Sequence, residues 1–269
     1  MRLSLAFVAA SLLNAAVPGR AEPRQPTSKW VVNFDDAQCV ASRNYGTAEK
    51  PLYLAFKASP LGDVMQLAIL RNGIGGEAEQ VEATLKVDDW PVLRKSILVY
   101  KSKKASLNIS RINLRANEFA PFRQAKRIAI RSAGLNETFA LTQMDPLLKK
   151  MDECLIDLRS VWNITDPAGK QSKLKERAKA NLASYVNNDD YPAIAIANHQ
   201  GGTVAFALLV DEAGKIADCT IIETSGAAAL DTQSCGILEK RAKFTPAIGA
   251  DGKPAKDAVF SRIRWVIPR

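Results

Sequence analysis

One histidine, His199, and four cysteines, Cys39, Cys154, Cys219 and Cys235, are the residues from which a base, a nucleophile or a zinc site would have to be assembled in this 269-residue chain. His199 stands just before Gly201-Gly202, the composition of a surface turn, and has no second histidine to work with. The cysteines are spaced C-x114-C, C-x64-C and C-x15-C, unlike the short C-x2-C pairs of zinc and redox sites. Neither G-x-S-x-G nor H-E-x-x-H occurs. The glycines from Gly73 to Gly76 follow one strand pattern and lead into another rather than into a helix, so they form a turn and not a phosphate cradle. Asp35-Asp36 is a carboxylate pair of a kind too common to mark a site. Nucleophilic and zinc hydrolysis therefore lack their parts. A non-enzymatic protein with no catalytic residues, no metal and no cofactor is expected.

The elements that would position any site begin with an export signal. Arg2, the apolar run Leu3 to Leu13, and small residues up to Ala21 have the order of a signal peptide, with cleavage expected after Ala21. The run is about half of the ~20 residues a membrane-spanning helix needs, so the alternative, an uncleaved inner-membrane anchor, is the weaker reading. Export to the periplasm puts the cysteines in an oxidising compartment, where disulfides are favoured over free thiols. Four cysteines allow three pairings, and spacing does not choose among them.

Lys and Arg number 37 against 28 Asp and Glu, a net charge of +9 that is unevenly spread. Residues 1–21 carry +2, residues 22–185 hold 26 basic against 18 acidic residues, and residues 186–269 hold 9 against 10. Attraction to a polyanion such as peptidoglycan or lipopolysaccharide would thus belong to the first part of the chain. Nucleic acid is not a partner expected of an exported protein.

From Trp30 to about Gly134 short apolar segments alternate with turn signals: Leu52 to Phe56, Val64 to Leu70, Val81 to Val87, Ile97 to Tyr100, Leu107 to Leu114 and Arg127 to Ile130, broken at Asn72-Gly73, Gly75-Gly76 and Asp88-Asp89. Leu107, Ile109, Ile112 and Leu114 suggest a strand with one buried face. Met144, Leu147, Leu148, Met151, Leu155, Leu158 and Trp162 recur at steps of three and four, predicting a helix that Asp145-Pro146 would cap. A mostly-β domain over 22–165, closed by that helix, is the expectation. Cys39 and Cys154 lie near its two ends, and a bridge between them would close it, contributing about 4 to 5 kcal/mol by loop closure. Two buried free thiols are the alternative. A basic linker over 166–190 follows, in which Leu174, Ala178, Leu182 and Tyr185 have the spacing of an amphipathic helix.

The third part, 191–269, reads as a hairpin with Val204, Phe206, Leu208 and Val210 on one face, a helix over about 228–242, and a closing strand over about 257–267. Its punctuation is Tyr191-Pro192, Gly202, Val210-Asp211 with Gly214, Ser225-Gly226, Leu230-Asp231, Phe244 with Pro246, and Asp251-Gly252-Lys253-Pro254. In that order, over about 186–268, these residues resemble the C-terminal domain of the TonB family. The resemblance implies an α+β chain in which the mostly-β domain precedes a small three-stranded antiparallel sheet packed on one or two helices. In such a module Cys219 on the second strand and Cys235 on the helix would staple sheet to helix, which leaves Cys39 to Cys154 as the other pair.

The resemblance further implies a periplasmic interaction module that lends the edge of its last strand to an extended peptide of an envelope or outer-membrane protein, such as a TonB-dependent receptor. Carried onto this sequence, the partner-binding strand is Val259, Phe260, Ser261, Arg262, Ile263, Arg264 and Trp265, with both arginines outward. Energy transducers of the family keep an N-terminal membrane helix and a long Pro-rich stretch; here the 13 prolines are scattered and a compact domain stands in place of the stretch. A soluble binding protein is expected ahead of a membrane-tethered transducer or a peptidoglycan-binding protein.

Overall fold

The computed structural model describes residues 22–73, 78–102, 106–164 and 173–268. The signal peptide expected over 1–21, Gly75 and Gly76 of the glycine turn, and the start of the linker lie outside the described residues. The first part is built from β1 (Val31–Asp35), β2 (Gln38–Asn44), β3 (Leu52–Ala58), β4 (Val64–Asn72), β5 (Glu79–Val87), β6 (Leu93–Lys101), β7 (Leu107–Arg115), the one-turn α1 (Ala116–Phe119), β8 (Arg127–Ser132), β9 (Leu135–Ala140) and the long α2 (Met144–Val161). The second part follows with β10 (Leu174–Glu176), α3 (Ala193–Ala197), β11 (Gly202–Val210), β12 (Ile216–Glu223), α4 (Ala228–Arg241), β13 (Ala247–Gly249), β14 (Pro254–Ala255) and β15 (Asp257–Trp265).

The first nine strands form one antiparallel sheet in the order β1-β2-β3-β4-β7-β6-β5-β8-β9. Period-two patterning sends Leu54 and Phe56, Leu67 and Ile69, Ile112 and Leu114, Ile128 and Ile130 to one face, where they share a single core with α2. The sheet curls until its ends approach. Arg24 exchanges backbone hydrogen bonds with Thr138 and Ala140 beside β9, while the Thr27 N–H donates to the Asn44 carbonyl at the end of β2. Across the same seam the Tyr45 hydroxyl donates to the Ala140 carbonyl at 2.8 Å, and burial pushes its pKa up to about 12.

Helix α2 buries the expected stripe from Met144 to Leu158. Cys154 on that stripe is joined to Cys39 of β2, with 5.9 Å between their Cα atoms. At its end Trp162 is buried and donates its indole N–H to the Asp36 carbonyl at 2.6 Å. Its start differs from expectation: the capping position is Gln143, at φ 61°, and Asp145 lies in the first turn, paired with Lys149 and Arg123. Strand β7 also differs. Ser110, Ile112 and Leu114 face inward and Ile109 outward, since residues an odd number apart take opposite faces of a strand.

The amphipathic helix expected over 174–185 is not formed. Leu174–Glu176 pairs instead with β13, Lys179 forms a bridge with Thr245, and Leu182–Tyr185 makes one 3-10 turn. The same apolar residues are used, but extended: Leu174, Ala178, Leu182 and Tyr185 pack into the second core, and the Ala178 N–H is bonded to the buried Asp257 carboxylate at 2.8 Å. A tertiary partner for an extended backbone outweighs helical periodicity in a short segment. Residues 173–190 therefore pack with the second part of the chain. Strands β1, β2 and β9, helix α3 and the small β10-β13-β14 sheet went unread in the sequence.

Candidate functional site

The punctuating residues of the second part hold one another in place. The Asp231 carboxylate, in the first turn of α4, accepts from the Ser225 N–H at 2.8 Å, the Ser225 hydroxyl at 2.7 Å and the Thr224 hydroxyl, so it clamps the end of β12 to the start of the helix. Burial raises its pKa, opposed by those donors. Gly202 passes so close to this turn that an added Cβ would collide with the Ser225 carbonyl oxygen. Gly214, at φ +73°, lets the β11–β12 hairpin turn lie against Phe244, whose N–H donates to the Gly214 carbonyl at 3.0 Å. Tyr191 meets Trp265 edge to face with ring centres 5.3 Å apart, and the Trp265 indole N–H donates to Ser234 of α4 at 2.9 Å. Cys219 of β12 and Cys235 of α4 are joined, with Cα atoms 5.8 Å apart.

The sheet so framed has the order β12-β11-β15, with β11 in the centre and paired along its whole length to β15, from Gly202 opposite Trp265 to Val210 opposite Asp257. Its two outer strands meet different surroundings. On β12 the Ile221 carbonyl accepts from the side-chain amides of Gln66 on β4, at 3.2 Å, and Asn113 on β7, at 3.1 Å. Gln66 and Asn113 are themselves opposite one another in the β4–β7 ladder, on its outer face. Three residues along β12, Asp218 takes the Lys57 ammonium at 2.7 Å. Side chains of the first part thus occupy the β12 side of the small sheet. The second face of the sheet is covered as well, for Leu209 and Ala258 are fully buried against the core of the first part.

Strand β15 is anchored at its start. Asp257 is wholly buried, accepts from Arg177 Nε and the Ala178 N–H at 2.8 Å each, and the Ala258 carbonyl accepts from Arg177 at 2.7 Å. Nearby the Asn163 amide donates to the Lys256 carbonyl at 2.9 Å. Beyond Ala258, among the described residues, no strand pairs with the outer edge of β15. Of the seven residues expected to bind a partner, Phe260, Arg262 and Arg264 are exposed and Val259, Ser261 and Ile263 half-buried, while Trp265 is buried in the core.

His199 adopts φ 50° in the loop before Gly201, and the four cysteines are all in disulfides. Among the described residues no three His, Cys, Asp or Glu side chains gather in a way that could hold a metal ion. No helix among them is long and apolar enough to cross a membrane. Sequence reasoning passed over Lys57, Gln66 and Asn113. Gln66 left a signal, being the polar interruption of the apolar run from Val64 to Leu70.

Residues 187–267 match the family model described as Gram-negative bacterial TonB protein C-terminal. The chain therefore carries a TonB C-terminal domain behind an additional N-terminal region. Domains of this family are non-enzymatic interaction domains that act with outer-membrane proteins such as receptors, and the proteins carrying them are periplasmic or associated with the envelope. No curated protein and no solved structure matches the chain.

Proposed function

We propose that the chain is a non-enzymatic periplasmic protein, exported by a signal peptide cleaved after Ala21, that binds an extended segment of an envelope or outer-membrane transport protein along the outer edge of β15. Its working division is a first domain over 22–165 and a second that takes in 173–190 with 191–269. The observation that carries this reading is the asymmetry of the small sheet: the β12 side is occupied by the protein's own Gln66, Asn113 and Lys57, and the β15 edge beyond Ala258 has no strand beside it among the described residues. Val259 to Arg264 offer about 20 Å of edge. Backbone N–H and C=O groups supply the affinity, and alternate side chains the selectivity. Phe260, Arg262 and Arg264 stand out from the strand, and the two guanidiniums favour a segment with acidic residues.

A photo-crosslinking amino acid placed at Phe260 or Arg262 in the expressing cell tests this, with Asp89 as a remote control position. Adducts at the β15 positions that map to an extended periplasmic segment of an outer-membrane protein are expected. Adducts equally strong at Asp89, or none at β15, end the proposal. N-terminal sequencing of the same material checks the compartment: a chain starting at Glu22 fits, and one starting at Met1 returns the reading to a membrane-tethered transducer.

A further inference from the structure

The large sheet keeps a bare edge. Strand β1 stands at its end and pairs with β2 alone among the described residues. Residues directly opposite one another share a face, so Val32 beside Ala41 and Phe34 beside Cys39 point inward, while Val31 beside Ser42, Asn33 beside Val40 and Asp35 beside Gln38 point outward. Trp30, just before the strand, is turned inward as well, its ring 5.5 Å from that of Phe56. Ala41 and Cys39 are wholly buried, yet Phe34 is 52% exposed and Val31 62%. Helix α2 leaves both uncovered. It lies over β2, where Cys154 is bridged to Cys39, and beside Phe34 it leaves a shallow cavity of about 70 Å³ lined by Asp157, Leu158 and the exposed Val161.

Large apolar side chains on an unpaired strand are what soluble proteins otherwise avoid, and β1 has neither a proline nor a lysine within it to blunt the edge. Its two ends carry opposite charge. Lys29 precedes the strand and is exposed; Asp35 ends it, also exposed, and Asp36 and Asp157 line the same cavity as Asp35. Asp35 accepts from the Gln38 amide at 3.4 Å, and neither it nor Lys29 is ion-paired with a described residue.

We infer that β1 pairs antiparallel with β1 of a second copy of this chain, across a two-fold axis perpendicular to the sheet. Such an axis keeps the inward faces of both copies on one side, so residues meet only others of their own face. With Val32 opposite its own copy, Trp30 comes opposite Phe34 on the inner face, and on the outer face Val31 comes opposite Asn33 and Lys29 opposite Asp35. Aromatic meets aromatic and cation meets carboxylate, once on each side of the axis. Sliding the register by two residues breaks both matches: in one direction Val31 faces Asp35 and Trp30 faces Asp36, in the other Lys29 faces Asn33 and Phe34 faces Ser28. An identical strand carries the complementary pattern by construction, which an unrelated segment does not. A single strand edge makes a small interface, so the dimer is weak, and it leaves β15, in the other sheet, free for a partner.

Sedimentation equilibrium on the full exported chain tests the inference. A monomer–dimer equilibrium with Kd of about 100 µM or tighter is expected at low ionic strength, weakening as salt rises. Phe34→Lys should weaken it by about tenfold or more. Lys29→Asp, which sets carboxylate against carboxylate at both ends, should weaken it by about fivefold, and Lys29→Asp with Asp35→Lys should bring it back to within about twofold of the native value. Phe260→Asp with Arg262→Asp on β15 should leave Kd unchanged. Circular dichroism checks that each variant is folded. A chain that stays monomeric up to about 1 mM, a dimer indifferent to Phe34→Lys, a charge swap that restores nothing, or a dimer lost in the β15 variant would each overturn it.

Discussion

The nine-stranded sheet and the three-stranded sheet differ in what meets their edges. The large sheet curls, and its own chain from Arg24 to Thr27 bridges β9 to the end of β2, while the outer side of β1 has no strand beside it among the described residues. The small sheet has one side met by the first part of the chain and, past Ala258, an edge on β15 with no strand beside it among the described residues. Unpaired strand edges invite pairing with other chains, and proteins commonly blunt them. Here two charges that discourage indiscriminate pairing, Arg262 and Arg264, stand exposed on the strand.

The strongest way to break this contrast is to free the curled sheet from α2. Replacing Cys39 and Cys154 together by Ala removes a link across 115 residues, and a loss of about 5 kcal/mol is expected in urea unfolding. The same change at Cys219 and Cys235, 16 residues apart, should cost about 3 kcal/mol. If the shorter bridge proves the more costly, the small sheet depends on its staple more than on packing against its neighbour. Next comes the seam. Gln66→Ala with Asn113→Ala orphans the Ile221 carbonyl, at an expected cost of about 1 to 3 kcal/mol. Hydrogen exchange should quicken along β12 and stay unchanged in β8 and β9.

A smaller effect concerns acid. Asp190 is buried, and its hydrogen bond to Arg241 holds its carboxyl below the usual range, aided by the Asn187 N–H. A depressed folded-state pKa gives stability that is present above the unfolded value of about 3.9 and lost as pH falls through the folded value. Asp190→Asn should therefore lower stability at neutral pH, with the gap narrowing as pH falls below the ordinary carboxylate range. Asp231, raised by burial, has the opposite sign: its contribution is present below the ordinary carboxylate value and lost as pH rises through the folded one. A gap for Asp190→Asn that stays the same from neutral pH down through acid unfolding would show that the pair with Arg241 is not what Asp190 contributes. The smallest effect on stability should come from β15 itself, where Phe260→Asp with Arg262→Asp changes outward residues and should shift unfolding by less than about 0.5 kcal/mol. Its effect should fall on crosslinking to the partner.

Much of the second part could be read from its residues because its fold is punctuated locally. Ser225 and Asp231 act on each other six positions apart, Gly202 and Gly214 mark turns by residue type alone, and the alternation of Val204, Phe206, Leu208 and Val210 needs no distant partner to be seen. The stripe of α2 was legible for the same reason. Residues 173–185 were not, since their apolar spacing fits a helix and also fits an extended segment, and the deciding partners, β13 and Asp257, lie some 70 to 80 positions farther along. The strand order was equally out of reach: β4 pairs with β7 across two intervening strands, a choice made by long-range closure of the sheet. So the punctuation and many of the strand segments followed from local residue chemistry, which acts over a few positions. Which edge of the small sheet is covered did not follow, because Gln66 and Asn113 meet Ile221 from more than 100 residues away, and contacts at that range exist in the folded chain alone.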